Sequence, residues 1–482
     1  MKKLICAFLA LAMLTVSFSA CANNDDNEPV VTGTNVDTGT GEYVFKEADY
    51  QGEEFKILHY GNTAKDFHDE YIWSEGFSSD IIAGAVIERN KLVEDRYNVK
   101  IAAEECSPMS EATNRIQAGM VDFGLIYEWG SRSVSAALDG MLFDFREFTD
   151  VDFENSWWVP SAAESLTLAD RMFINTNMIS MNSISWAGIV FFNKMLMDKL
   201  QYEYPYEYVQ TNTWTCDVML EMMNGAEEDV NGDGEMTLAD QYGGFGVGFE
   251  GILYYEPLAR QNDDGSYTVI GYTDKMVARY SEYSRKLEDM SSHGYEYFWD
   301  EVDSSIHPSI HVSTRKTVFG DDHALFMAGS IDMTKELVDM KHDYGVVPDP
   351  KADPSDEWST GVDYNAPMFS VPVTVDDPDM TSVILDYMAY ESENILLPAY
   401  YETTLKTKRM QDQRDYEMLD IVRASVEFDP ISLYIRGIPD NGFGFRDAMF
   451  ASGNFSSVWK KYSKKAQAGL DDLIEKMESI GY

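Results

Sequence analysis

Basic residues are scarce in this chain. Its 482 residues include 37 Lys and Arg against 83 Asp and Glu, a formal net charge of −46. Phosphate backbones are gripped by clustered Lys and Arg, so this deficit excludes general nucleic-acid binding. It also speaks against adhesion of the folded part to anionic lipid. Cysteine is scarcer still, with four in all. Cys6 and Cys21 lie in the N-terminal leader, which leaves Cys106 and Cys216, and their spacing alone leaves a bridge between them open. No Cys/His cluster suggests zinc. No GxSxG, HExxH or CxxC motif anchors nucleophilic, metalloprotease or redox chemistry. Carboxylate pairs for glycoside hydrolysis can be drawn freely among 83 acids, so their presence decides nothing. Long apolar runs are missing as well: none approaches the roughly 18 residues of a membrane span. Core material is ordinary in amount. Hydrophobic residues make up 44%, so the charge marks a soluble surface rather than disorder.

Met1–Lys3 open the chain with positive charge, and Leu4–Val16 follow as a short apolar run. Ser17–Cys21 resembles a bacterial lipobox: small residues at Ser19 and Ala20, then the cysteine that is lipidated after cleavage. Phe18 stands where Leu is usual. This resemblance implies a signal peptide over 1–20 and an extracytoplasmic protein anchored to the cell membrane by lipid at Cys21. The alternative is ordinary secretory cleavage near Ala20 or Ala22. Residues 21–43 carry Asn, Asp, Thr and Gly with few large apolar side chains, and so read as a flexible tether.

Asp229–Asp240 is the most specific local pattern. It spaces oxygen ligands as a twelve-residue calcium loop does, with Asp229, Asn231 and Asp233 at positions 1, 3 and 5. Gly234 sits at position 6, where the loop turns sharply, and Glu235 offers its backbone carbonyl at position 7. Thr237 would ligate through water, and Asp240 closes the loop. Asp in place of Glu at position 12 shortens the closing arm, which predicts weak binding, on the order of 10⁻⁴–10⁻³ M. Gly-rich sequence after Gln241 breaks any second helix and no second loop of this kind occurs, so a paired sensor is a poor reading and a structural Ca²⁺ is expected.

Elsewhere strands and helices alternate. Strands are predicted at 54–60, 98–102 and 122–127, with helices over 82–97, over 110–120 capped by Ser110, and over 133–139. A second region repeats the rhythm: a strand at 185–192, a helix at 194–200, a helix at 214–225 capped by Thr213 or Thr215, the calcium loop, a Gly-rich strand, a helix at 274–290 and a strand at 324–327. Residues 344–348 and 366–375 read as strands returning to the first region. The C-terminal stretch is amphipathic, with Trp459, Tyr462, Ala466, Leu470, Leu473, Met477 and Ile480 at steps of three and four. Such alternation implies an α/β fold with parallel sheets, whose ligands bind beyond the carboxyl ends of the strands.

Seven segments then occur in a familiar order: Ile87–Val99, Ile116–Leu125, Ala137–Phe145, Val190–Lys194, Asn212–Thr215, Asp322–Ser330 and Asp343–Pro348. Over roughly 50–460 the chain resembles the bacterial extracellular solute-binding proteins of ABC transporters, in the large family that includes sugar binders. Some of these also place a calcium loop before a strand like Asp240–Phe245. His323 departs from the small residue usual there. The resemblance implies a two-lobed, type II periplasmic-binding-protein-like fold with a hinge. Residues 44–170 would form the first part of lobe 1, 171–340 lobe 2 with the loop 229–240, 341–400 a return to lobe 1, and 401–482 C-terminal helices mainly on lobe 2. It further implies a non-enzymatic monomer that closes on an extracellular carbohydrate, an oligosaccharide by preference, and docks on a membrane permease.

Candidate ligand contacts are Tyr60 and Asn62 after the first strand, Tyr127, Glu128 and Trp129 after the third, and Trp186 at the hinge. Ser330 and Asp332 follow a later strand, and Asp363, Tyr364 and Asn365 precede a return strand. Sugars stack their apolar faces on Trp or Tyr and satisfy their hydroxyls with Asp, Glu and Asn, and these candidates supply both. Core packing is the competing role for each aromatic, and is the expected one for Trp157 and Trp158. Peptides and other polar solutes remain open, and a cationic ligand would suit Glu128, Asp332 and Asp363. A secreted glycoside hydrolase is the distant alternative.

Overall fold

In the computed structural model, the described residues are 43–61, 71–74, 80–120, 122–245, 258–288, 302–306, 309–362, 366–405, 412–436 and 443–481. Cys21, Asn62, Asp363, Tyr364 and Asn365 lie outside them. Lys46–Tyr482 cluster as one compact unit.

The first sheet has four strands. Strand β1 (Glu53–His59) runs parallel to β2 (Val99–Glu105), in register from Glu53 opposite Val99 to His59 opposite Glu105. On its other side β1 runs parallel to β3 (Leu125–Trp129). The far edge is β11 (Pro367–Ser370), antiparallel to β3, which gives the order β11-β3-β1-β2. Helix α1 (Ile81–Tyr97) crosses between β1 and β2 and buries Ile82, Ala85, Val86, Arg89, Asn90, Val93 and Tyr97, a stripe at helical spacing. Asp80 caps it by accepting from the Ala83 N–H, and Asn98 ends it in the left-handed conformation. Helix α2 (Pro108–Gln117) starts earlier than expected. Its N-cap is Ser107 and not Ser110, because Pro108 suits the first helical position, where no N–H is needed. Helix α3 (Gly130–Leu138) springs directly from β3.

The second sheet is centred on β4 (Gly188–Asn193). This strand is antiparallel to both β8 (Ala324–Ser330) and β9 (Tyr344–Val347), while β5 (Tyr242–Phe245) runs parallel to β8. The order is therefore β5-β8-β4-β9. Helix α4 (Lys194–Leu200) follows β4, and Asn193 caps it through the Leu196 N–H. Helix α5 (Cys216–Asn224) is capped by Thr215 and buries Cys216, Met219, Leu220, Met222 and Met223 in one apolar cluster with Trp214, Phe192 and Phe326. Gly243 is required where β5 meets α5, since a Cβ there would lie 2.1 Å from the Met223 carbonyl oxygen.

Minor elements complete the fold. Strands β6 (Ala259–Gln261) and β7 (Tyr267–Val269) form a hairpin, and β10 (Thr360–Gly361) pairs with β12 (Val426–Glu427). Helix α6 spans Asp274–Glu288. The last helix, α7 (Phe455–Ser479), buries Phe455, Ala466, Leu470, Leu473 and Met477, the stripe the sequence predicts.

Two expectations need correction, and one open question closes. Residues 344–347 do not return to the first sheet; they add β9 beside β4, and only β11 rejoins it. Ser185 is not strand: Asn182–Ser185 form a helical turn and extended structure begins at Gly188. Cys106 and Cys216 are not bridged; Cys216 is buried as the first residue of α5 and its thiol donates to the Pro350 carbonyl at 3.7 Å. Trp157 and Trp158 serve packing as expected. Both indole N–H groups donate to one oxygen of buried Asp386, at 2.8 and 2.7 Å. No helix among the described residues is long and apolar enough to cross a membrane.

Candidate functional site

Residues 127–129 are the last three of β3 rather than a loop beyond it, because β11 extends the ladder to Trp129 opposite Pro367. That pairing fixes each side chain. Tyr127 is fully buried, packs on Phe369 with ring centroids 5.2 Å apart, and accepts at its hydroxyl from Asn182 Nδ2 at 2.5 Å. It is therefore a core residue, placed by the sheet and not offered to solvent.

Glu128 is the hub. Only 1% exposed, it accepts from the Trp129 N–H at 2.8 Å on Oε1, and on Oε2 from the Tyr60 hydroxyl at 2.9 Å and the Met109 N–H at 3.3 Å. Burial raises its carboxyl above the usual range, against the pull of these donors. The Tyr60 hydroxyl, also raised by burial, spends its one proton on Glu128 and so accepts from Arg132 Nη1 at 2.5 Å. Arg132, in the first turn of α3, lies over the Trp129 ring at 4.1 Å and the Tyr60 ring at 5.8 Å, with Nη1 3.9 Å from Glu128 Oε1. Tyr60 after β1, two residues of β3 and one turn of α3 thus make one cluster at the carboxyl ends of the parallel strands β1 and β3.

Sequence reading missed Arg132. The signal was present: once a helix starts at Gly130, Glu128 and Trp129 lie four and three residues before it, the spacings at which side chains meet.

Residues 182–188 tie this end of the first sheet to the second. Asn182 Nδ2 donates to Tyr127 and to the Pro367 carbonyl at 2.7 Å. At the other end the Ala187 carbonyl accepts from the Ile331 N–H at 3.3 Å, and Gly188 stands in register with Ser330. A span this short reaches on the order of 20 Å, so Tyr60, Glu128, Trp129, Trp186 and Ser330 share one neighbourhood. Trp186 is half-buried midway along it. Among the described residues, its indole N–H and the hydroxyl of buried Ser183 have no hydrogen-bond partner. Asp332 is paired with Lys335 at 2.8 Å, and Lys335 Nζ donates across to the Tyr71 hydroxyl at 3.0 Å. Tyr71 is in turn held by Arg89. That guanidinium is fully buried and donates to the carbonyls of Tyr71, Ile72 and Ile179 at 2.8, 2.9 and 3.1 Å. Burial lowers it to about 9.

The loop 229–240 is built differently. Asp229 accepts from the Gly232 and Gly234 N–H groups, each at 2.7 Å, Asn231 from Asp233 and Asp233 from Glu235, each at 2.8 Å. Gly234 turns with φ +87°, the conformation position 6 demands. Asp240 accepts from the Val230 and Thr237 N–H groups at 2.9 and 2.8 Å, and the bonds from Thr237 lower its carboxyl below the usual range. An antiparallel bridge between Glu228 and Gln241 closes the loop. The backbone suits a calcium loop; among the described residues, however, no three His, Cys, Asp or Glu side chains gather as a metal-holding group. After the loop comes β5, not a helix, as its glycines dictate.

No protein-family model matches the sequence, and neither does any curated protein. Solved structures do match. M. tuberculosis UspC is 12% identical, with 86% of this chain and 100% of that one aligned and a TM-score of 0.54. A sugar transporter from Rhizobium etli in an open conformation is 14% identical over 89% of this chain and 100% of its own, TM-score 0.52. A cyclo/maltodextrin-binding protein complexed with maltotetraose is 12% identical over 89% and 97%, TM-score 0.51. At such identities the likeness establishes architecture. The chain has the two-lobed α/β fold of the periplasmic-binding-protein type.

Proposed function

We propose that this protein is the substrate-binding lipoprotein of an ABC importer, and that it captures an extracellular oligosaccharide by lobe closure and delivers it to a membrane permease. The observation that carries this is the cluster of Tyr60, Glu128, Trp129 and Arg132 at the strand ends, beside a crossing segment whose Ser183 and Trp186 donors have no partner among the described residues. Flat aromatic surface next to polar groups is what a sugar requires. A protein of the same fold is complexed with maltotetraose. Binding, not hydrolysis, is the reading, and lobe closure follows only if the ligand touches both lobes.

The cationic-ligand alternative loses two of its three acids here, the third, Asp363, lying outside the described residues. Both Glu128 oxygens are occupied by protein donors, and Asp332 is paired with Lys335. The lipid anchor at Cys21, the monomeric state and the lobe boundaries given above, with β9 moved beside β4, belong to the same proposal. So does a structural Ca²⁺, held by Asp229, Asn231, Asp233, the Glu235 carbonyl and Asp240. It would cross-link the loop between α5 and β5 without entering the ligand site.

The test is a thermal-shift and calorimetric screen against mono- and oligosaccharides, peptides and polyamines. A sugar recovered unaltered after binding supports the proposal. A protein blind to sugars that responds to peptides or polyamines refutes it.

A further inference from the structure

We infer that the ligand carries a carboxylate and that Arg132 is the residue that reads it, so that the site takes a short acidic oligosaccharide, one with a uronic acid, over its neutral counterpart. This rests on the carbohydrate reading above.

Arg132 is held in place yet largely unspent. Its guanidinium lies 4.1 Å over Trp129, and Nη1 is committed to Tyr60. Stacking uses the face of a guanidinium, whereas its five donors lie in the plane. Among the described residues Nε and Nη2 have no partner, and the side chain is 49% exposed. The one nearby carboxylate does not fill that edge. Glu128 lies 3.9 Å from Nη1, beyond hydrogen-bond reach, and its oxygens face three other donors. The first turn of α3 contains no acidic residue. In a chain with more than two acids for every base, Arg132 keeps an exposed edge whose Nε and Nη2 donate to no acid among the described residues.

A planar fork with two adjacent donors matches a carboxylate in bidentate fashion and matches a lone hydroxyl poorly. Trp129 and Tyr60 hold the fork rigid, which limits the ordering cost of binding. The net charge of −46 bounds the ligand from the other side, because its field repels polyanions. A di- or trisaccharide with one or two uronates fits both conditions.

The experiment is isothermal titration calorimetry with galacturonate, glucuronate and mannuronate trisaccharides, each beside its carboxyl-reduced form. At least one acidic member should bind about 30-fold or more tightly than its reduced partner. Arg132→Gln should erase that ratio by weakening the acidic form alone, and Arg132→Lys should restore only part of it. Equal affinity for acidic and reduced forms, or an unchanged ratio in Arg132→Gln, overturns the inference and leaves the sugar-binding proposal standing. Binding confined to neutral sugars does the same. Silence toward every sugar, acidic and neutral, brings both down. The matched-ligand comparison uses the wild-type protein, so it decides the matter even if a variant fails to fold.

Discussion

The cluster around Glu128 and the loop 229–240 are both made of acids and hydrogen bonds, yet they are opposites in construction. The loop is contiguous: the side-chain oxygens of Asp229, Asn231, Asp233 and Asp240 accept from donors within the same dozen residues, most of them backbone N–H groups. The cluster draws on β1, the α2 N-terminus, β3 and α3, and β11 fixes its register from more than 230 residues away. Its central carboxylate is buried and raised, whereas the carboxyl that closes the loop is lowered by its donors. Local chemistry can make a loop, and only the assembled fold can make the cluster.

The largest expected effect tests that dependence. Glu128→Ala strands the Tyr60 hydroxyl and two backbone donors and should lower stability by about 2–4 kcal/mol in chemical denaturation. A loss under about 0.5 kcal/mol would mean the cluster does not depend on its hub. Glu128→Gln adds a pH readout. Because the folded carboxyl is raised, its contribution is full below the ordinary carboxylate value near 4 and fades as pH rises through the folded value. Glu128→Gln should remove that decline. Asp240→Asn should do the reverse. Its folded carboxyl is lowered, so its contribution is present above the ordinary value and lost as pH falls through the folded one. Slopes of the same sign in both variants would erase the contrast.

Next in size is the metal response. With Kd near 10⁻⁴ M, about 1 mM Ca²⁺ should add about 1.4 kcal/mol to wild type and nothing to Asp229→Ala, read by melting temperature with and without chelator. The smallest effect belongs to the bond between Lys335 and Tyr71, which lies outside both regions. Lys335→Met removes the bond to Tyr71 and should change ligand affinity no more than about fivefold, while the melting temperature shifts little. A change of about tenfold would make Lys335 part of the ligand site itself.

What the sequence discloses follows the same division. Helix α4 is found with its predicted ends, α1 within one residue, and the turn at Gly234 has the conformation its position demands, because caps, periodicity and glycine act over a few residues. Periodicity places β3 too early. Gly124 passes against the Phe55 ring, where a Cβ would lie 2.4 Å away, and pairing begins only at Leu125. Its later limit is set by β11, which no local pattern announces. Tyr127 is buried in the core for that reason, and Arg132 escapes notice because the helix start hangs on the same strand end. Tyr60, Glu128 and Trp129 do stand together at a strand end as expected, though not for the contacts they make.

The late arrival of β11 also bears on how the chain comes to be folded. Strands β1, β2 and β3 are synthesised early, but β3 keeps one edge of unpaired backbone groups until residues 367–370 emerge. The whole second sheet is made in between. Such an edge templates aggregation while it waits, and contacts of this sequence separation form slowly. Arg89 adds a second late partner, since its guanidinium also donates to Ser392 at 3.4 Å. The first sheet therefore cannot lock until most of the chain has been made. A chain built this way gains little from folding as it is made and completes its first sheet only as a whole.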